Sequence, residues 1–320
     1  MNTMKWLIKR ELWEHKSGFF WAPLVFGGVM TVLFALLAFM GVAKIGSKNM
    51  RINGQEVTGL SNVMSPETVD AVVTQMVNGY MGFSMPLLAL FSFVTFYVCL
   101  GALFDERKDR SVLFWKSLPV SDTETVLSKV VVAIGVAPLI ALAVATIVSL
   151  CMLLLTAIAA AAGGVNVFGK ILGSSALYVA PFQVAAVLPV YILWALPSVG
   201  WLLMVSAWAR AKPLLWAVVA PLLTAGLISW FNSMFEFGLR TDWMWNDIIG
   251  RGLLSIVPGS WIALNPLDGQ HIAGLKEAGL GPLLSQSWQQ LGAANLWIGV
   301  VAGCAMIYAA IRLRRWRDEG

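Results

Sequence analysis

The residues best equipped for chemistry in this chain lie together in one stretch, residues 105–129, which reads DERKDRSVLFWKSLPVSDTETVLSK. It is the densest charge cluster in a sequence of which 12% is charged. Glu106 and Arg110 lie four apart and Asp105 and Lys108 three apart, spacings at which opposite charges pair along one helical turn. Arg107, Asp109 and Lys116 extend the cluster. Charges alone would make this a solvated turn whose ion pairs keep it soluble. Four consecutive apolar residues, Val112, Leu113, Phe114 and Trp115, argue for more, because an exposed apolar run needs a cover, either membrane or a groove on a partner.

Other signatures are weaker. Residues 164–171, GVNVFGKI, match the GxxxxGK frame of a phosphate-binding loop, but Ile171 stands where a Ser or Thr hydroxyl should ligate magnesium, and no soluble strand precedes it. No nucleotide site is expected there, and Lys170 should be dispensable. The sequence holds only two histidines, His15 and His271, and neither HExxH nor GxSxG, so a metal or triad mechanism has little to work with. Cys99, Cys151 and Cys304 lie inside apolar runs and read as packing residues. Gly299 and Gly303 form a GxxxG, a helix-packing signal that serves a dimer or the inside of a bundle equally well.

The elements that must position these residues are membrane spans. Of 320 residues 58% are hydrophobic, with 15 Trp and 16 Phe, and the mean hydropathy is +0.77. The formal charge of +5 is scattered over short loops beside apolar runs, which is how membrane topology is written and not how nucleic acid is bound. Sixteen residues of mixed charge precede an uncharged run of 27, too long for a signal h-region, so the first span is expected to stay in place. Residues 3–17 form an amphipathic helix with Lys5, Lys9 and Lys16 on one stripe, and the segment 1–18 suits the membrane interface. Spans are expected within 17–43, 80–104, 214–235 and 292–311, with one more in each of the uncharged runs 130–169 and 171–209. Pro181, Pro189 and Pro197 predict kinks or a break in the fourth. Residues 44–79 read as a polar loop. Residues 236–291 read as a large outer loop with short helices, partly re-entrant around 248–264, where Arg251, Pro258 and Gly259 interrupt an apolar piece. Pro119 should end a short polar helix near Ser117, and Ser121 with Glu124 spells a capping box for the next helix. With both ends cytoplasmic, 15 of the 22 Lys and Arg fall inside and 7 outside. The expectation is a single all-α integral membrane domain, 1–320, with six transmembrane helices and an N-terminal interfacial helix, in the cell (inner) membrane.

The apolar spans contain no Asp, Glu, Lys or Arg, which argues against ion-driven transport and leaves a path suited to a lipid-like or amphipathic cargo. The acid-rich, basic run 105–110, then LPVS at 118–121 and Lys129 ahead of a long third span, resembles the permease subunits of ATP-binding-cassette type-two exporters. The architecture carries the likeness over the rest of the chain. The resemblance implies a cytoplasmic coupling helix within the loop 105–120, in which Asp105, Glu106, Arg107, Lys108, Asp109, Arg110, Phe114, Trp115 and Lys116 dock on a separate ATPase subunit, present in two copies. It implies that residues 5–16 touch the same partner and that a second permease chain, in a homodimer, completes the path. ATP and magnesium would then bind the partner, and this chain would not itself be an enzyme. Two rivals come from other classes. A secondary transporter or channel should show intramembrane acids or inverted repeats. A membrane-embedded enzyme should show clustered nucleophile, base or metal ligands.

Overall fold

The computed structural model describes residues 3–47, 50–52, 55–57, 66–109, 120–238, 240–265 and 280–316. Six of its helices are long and apolar enough to cross a membrane: Ser17–Lys44, Glu67–Lys108, Asp122–Ala162, Ser175–Trp208, Leu215–Phe235 and Ala294–Trp316. They are called the first to sixth spans below, the name second span being kept for Met85–Gly101, the apolar part of its helix, and they make this a multi-pass membrane protein. A short helix, Thr3–Glu14, precedes the first.

The fourth span is the axis of the bundle. Val187 breaks it just ahead of Pro189, and the part from Leu188 to Trp208 buries Trp194, Val199, Leu202 and Leu203 completely. The sixth span packs along it through glycines. A Cβ on Gly200 would lie 2.6 Å from the Gly303 carbonyl oxygen, and a Cβ on Gly303 would lie 2.7 Å from the Leu196 carbonyl. Backbone meets backbone here, and dispersion between closely fitted surfaces replaces the hydrophobic drive that lipid removes. The GxxxG pair therefore serves the inside of the bundle. At Gly299 the missing side chain admits the guanidinium of Arg251.

The first, third and fifth spans share one device near their beginnings. Each carries a five-residue π-helical stretch, Ser17–Trp21, Val132–Val136 and Leu215–Val219, followed directly by Ala-Pro-Leu. The alanine amide bonds five residues back in every case: Ala22 to Ser17, Ala137 to Val132 and Ala220 to Leu215. Proline has no amide hydrogen, and its ring collides with the carbonyl four residues earlier. Widening one turn relieves the collision while keeping the neighbouring backbone bonded.

Two loops are more ordered than their composition promised. The expected polar loop 44–79 holds an antiparallel hairpin, Met50–Ile52 against Gln55–Val57, and a helix, Pro66–Gly79. That helix runs through the tight turn Tyr80–Ser84 into the second span. Val73 and Val77, one turn apart, bury its inner side beside Val69 and Met76, and the Tyr80 hydroxyl donates to the Leu177 carbonyl at 2.9 Å. Lys170 pairs at the exposed surface with Asp70, so the lysine of the phosphate-like frame has a structural partner. In the second loop, Met244–Gly250 and Arg251–Leu254 lead through Gly259, whose φ of +84° requires glycine, into Ser260–Leu264. This piece packs into the bundle: the Tyr191 hydroxyl donates to the Ile256 carbonyl at 3.0 Å and the Trp194 indole to Ser260 Oγ at 3.0 Å.

The glycine contact gives a direct test. Gly303→Ala should lower stability by about 1–3 kcal/mol through overpacking. Gly28→Ala, where a Cβ meets nothing within 4 Å, should be neutral or slightly stabilising. Thermal melts of the two variants in one detergent compare them, and equal melts would remove the backbone contact from the account.

Candidate functional site

At the end of the bundle where the N-terminal helix, the loop after the second span and the end of the sixth span meet, called the base here, charged side chains converge out of water. Glu106, 5% exposed, accepts from three cations: Arg10 Nη2 at 2.9 Å, Lys129 Nζ at 3.0 Å and Arg314 Nη1 at 2.5 Å. Lys129 also holds both oxygens of Glu11, 2% exposed, at 3.0 Å. Arg10 bridges to Glu11 at 2.7 Å, and Arg314 Nε donates to Asp122 at 3.1 Å. Three acids and three bases interlock, which is how ionised groups survive burial.

Local structure explains each placement. The second span ends in a turn at Ala102 and Leu103, and the short loop helix Phe104–Lys108 follows. Its first amides are capped from outside: the N–H groups of Leu103 and Phe104 both donate to Ser206 Oγ at 3.0 Å. Arg107 reaches the other way and donates to the carbonyls of Ser206 at 2.5 Å and Ala209 at 2.9 Å, satisfying the frayed end of the fourth span. Asp122 and Lys129 belong to the helix that opens the third span. Its capping box is complete: Ser121 Oγ accepts the Glu124 amide at 3.2 Å, and the Glu124 carboxylate accepts the Ser121 amide at 3.1 Å. Leu7 and Glu11, one turn apart, form the buried side of the N-terminal helix, while Trp6 and Trp13 stand outside with Lys9 over both rings.

This geometry changes several expectations. Glu106 was expected at a wet site, in reach of Arg110 along the helix. It is turned inward among three cations from distant parts of the chain. Arg107 likewise faces the bundle. Asp105, Lys108 and Asp109 are exposed on the other side of the loop helix. Arg110, Phe114, Trp115 and Lys116, with the expected helix end at Ser117, lie outside the described residues. Sequence reasoning held Arg10 and Glu11 only within the partner-facing stretch 5–16, and it missed Asp122, Arg314 and Ser206 as members of the site. One signal was available: Glu11 follows Leu7 by four on the side of the helix that holds Ile8 and Leu12, an acid where an apolar residue would be at home.

His15 sits beside the cluster, edge-on to Phe19. Burial pushes its imidazole below the ordinary value of 6.5; Glu11 pulls the other way and Lys129 adds to the push. The folded state thus binds fewer protons than the unfolded one, so this contribution is complete above the ordinary value and is lost as the pH falls below it.

The cluster ties the loop helix to the N-terminal helix, the third span and the sixth through Glu106, and to the fourth through Arg107 and Ser206.

Removing one member leaves the others buried and uncompensated. Glu106→Gln should cost about 3–5 kcal/mol. The double variant Glu106→Gln/Arg314→Gln should cost less than the sum of the two single changes, by about 0.5–3 kcal/mol. Detergent melts of the four proteins measure this, and additive losses would mean that the two side chains act separately. On acidification from about pH 7.5 to about pH 5.5, His15→Gln should lose less stability than the unaltered protein, read from the slope of melting temperature against pH. Compared with known proteins, the chain matches no family model, no curated protein and no solved structure.

Proposed function

We propose that this chain is the permease subunit of an ATP-driven exporter of the ATP-binding-cassette type-two class, and that the loop 105–120 is where a separate ATPase subunit moves the spans. The observation that carries this reading is the buried ionic tie at the base. The loop helix is held by Glu106 and Arg107 to four other elements, while Asp105, Lys108 and Asp109 remain exposed on its far side. A helix so held transmits displacement: a push on its free face reaches the N-terminal helix and the third, fourth and sixth spans together. An ATPase that contacts this face differently in two nucleotide states would bias an inward-facing against an outward-facing arrangement.

On this reading ATP and magnesium sit on the partner, the base faces the cytoplasm of a cell whose inner membrane holds the protein, and the N-terminal helix lies in the interface. Only 6% of the most apolar stretch of the first span and 11% of that of the fifth are buried, so both offer apolar faces to lipid or to a second permease chain in a homodimer. One observation favours a second reading, a secondary transporter without an ATPase. Arg251 is a buried ionisable group packed against the fourth and sixth spans, although the spans themselves carry none of their own.

A pull-down separates the two. Phe114→Ala/Trp115→Ala touches no span and should leave membrane abundance normal. If these side chains fill a groove on the ATPase, the variant should lose about 2 kcal/mol or more of docking. That is roughly thirtyfold in affinity. Co-purification of an ATPase, normalised to permease level, should fall with transport. Full partner retention and full transport would sink the coupling role, and transport with no ATPase in the preparation would favour the secondary transporter.

A further inference from the structure

The buried charges at the base are paired with opposite charges. The one buried at the other end makes no ion pair among the described residues. Arg251 is 5% exposed and lies with its guanidinium 4.3 Å above the Trp194 ring. Its Nη1 donates to the Asn295 carbonyl, and its own carbonyl accepts from Ser198 Oγ at 2.9 Å. Nη2 rests on the bare Cα of Gly299, so the backbone of the sixth span is shaped to receive it. Yet Nε and Nη2 have no hydrogen-bond partner, and no carboxylate among the described residues pairs with the guanidinium. Burial disfavours the charged guanidinium and outweighs Asp247, one turn earlier, which is near enough to favour it but forms no ion pair with it and accepts from Asn295 Nδ2 at 3.4 Å. One turn later Ser255 Oγ is also buried and unpartnered.

The identity of the free edge matters. Nε–H and the adjacent hydrogen of Nη2 are the two parallel donors of a guanidinium, spaced to meet two oxygens of one carboxylate or phosphate. Donors left bare in a buried place are destabilising, and a cation without a counter-charge more so. A purely structural arginine would turn this edge towards carbonyls, as Arg107 does with Ser206 and Ala209.

We infer that Arg251, with Ser255, forms a binding site for an oxyanion, a phosphate or carboxylate group, held two-pronged by Nε and Nη2. Because the edge is buried, the anion enters with a shift of the short helix Arg251–Leu254, which ends in the turn towards Gly259. Ile248 and Ile249 of the same piece line an apolar cavity of about 620 Å³ with Trp201, Trp208 and Trp216. An anion that carries an apolar body, as an anionic phospholipid does, therefore finds room on the same element. This site does not depend on the ATPase reading.

The test uses the full chain in nanodiscs. One arm compares phosphatidylcholine discs with discs containing phosphatidylglycerol; the other adds inorganic phosphate to phosphatidylcholine discs. Lipid retained through mild-detergent extraction is counted by native mass spectrometry, and melting is followed in parallel. The unaltered protein should retain phosphatidylglycerol at least tenfold better than Arg251→Met, and phosphatidylglycerol should raise its melting temperature but not that of the variant. Stabilisation by inorganic phosphate alone, lost in Arg251→Met, would keep the site and assign it to a soluble anion. In phosphatidylcholine without anion, Arg251→Met should melt no lower than the unaltered protein, because an uncompensated charge has been removed. Should the methionine variant fail to insert, Arg251→Lys, which keeps the charge and loses the fork, should still show a weakened anion response. The inference is overturned if neither anion changes the unaltered protein, or if the changes are equal in the variants.

Discussion

A carboxylate drawn out of water must be given back what water supplied, and at Glu106 the replacement is three cations within hydrogen-bonding distance. Much of the base depends on that requirement. Arg10 is brought in by the N-terminal helix, Lys129 by the first turns of the third span and Arg314 by the last turns of the sixth. None of these elements has a large apolar reason to stop at this place, since lipid is as apolar as their own side chains. The charges supply the address. Each misplacement would strand a buried ion, so the arrangement is specified much more sharply than apolar packing alone would specify it.

The same logic, carried through differently, shapes the rest of the bundle. Between the fourth and sixth spans the specificity comes from absence: Gly200 and Gly303 let two backbones approach until no side chain fits between them. In the first, third and fifth spans it comes from proline, which widens one turn where the helix would otherwise collide with itself. These wide turns fall near the beginnings of alternate spans. The base is thus a layer in which ionic ties and widened helix turns coexist.

The two buried arginine sites differ in a way that bears on function. Arg314 is enclosed by carboxylates and has a structural role, holding the sixth span to the loop helix and the third span. Arg251 has a tryptophan face, one carbonyl and an open pair of donors. Burial alone does not distinguish them. The count of satisfied donors does, and it directs attention to the end of the bundle away from the loop helix.

Six spans were legible in the sequence because hydropathy over about 20 residues is a local property that needs no knowledge of neighbours. The capping box of Ser121 and Glu124 and the break ahead of Pro189 were legible for the same reason: each is decided within one helical turn. The helix Pro66–Gly79 was misread as loop because its buried stripe, Val69, Val73, Met76 and Val77, is diluted by polar residues on its exposed side. The partners of Glu106 could not be read at all, since Arg10 lies 96 residues away and Arg314 lies 208 away, and no periodicity links such positions. Whether Gly299 and Gly303 face a second copy or their own bundle, and that Arg251 enters beside them, likewise depended on which helices become neighbours. Sequence determined which segments leave water; only the tertiary structure decided which charges and which bare backbones meet once they have left it, because in an apolar medium that choice rests on long-range pairing and close fit.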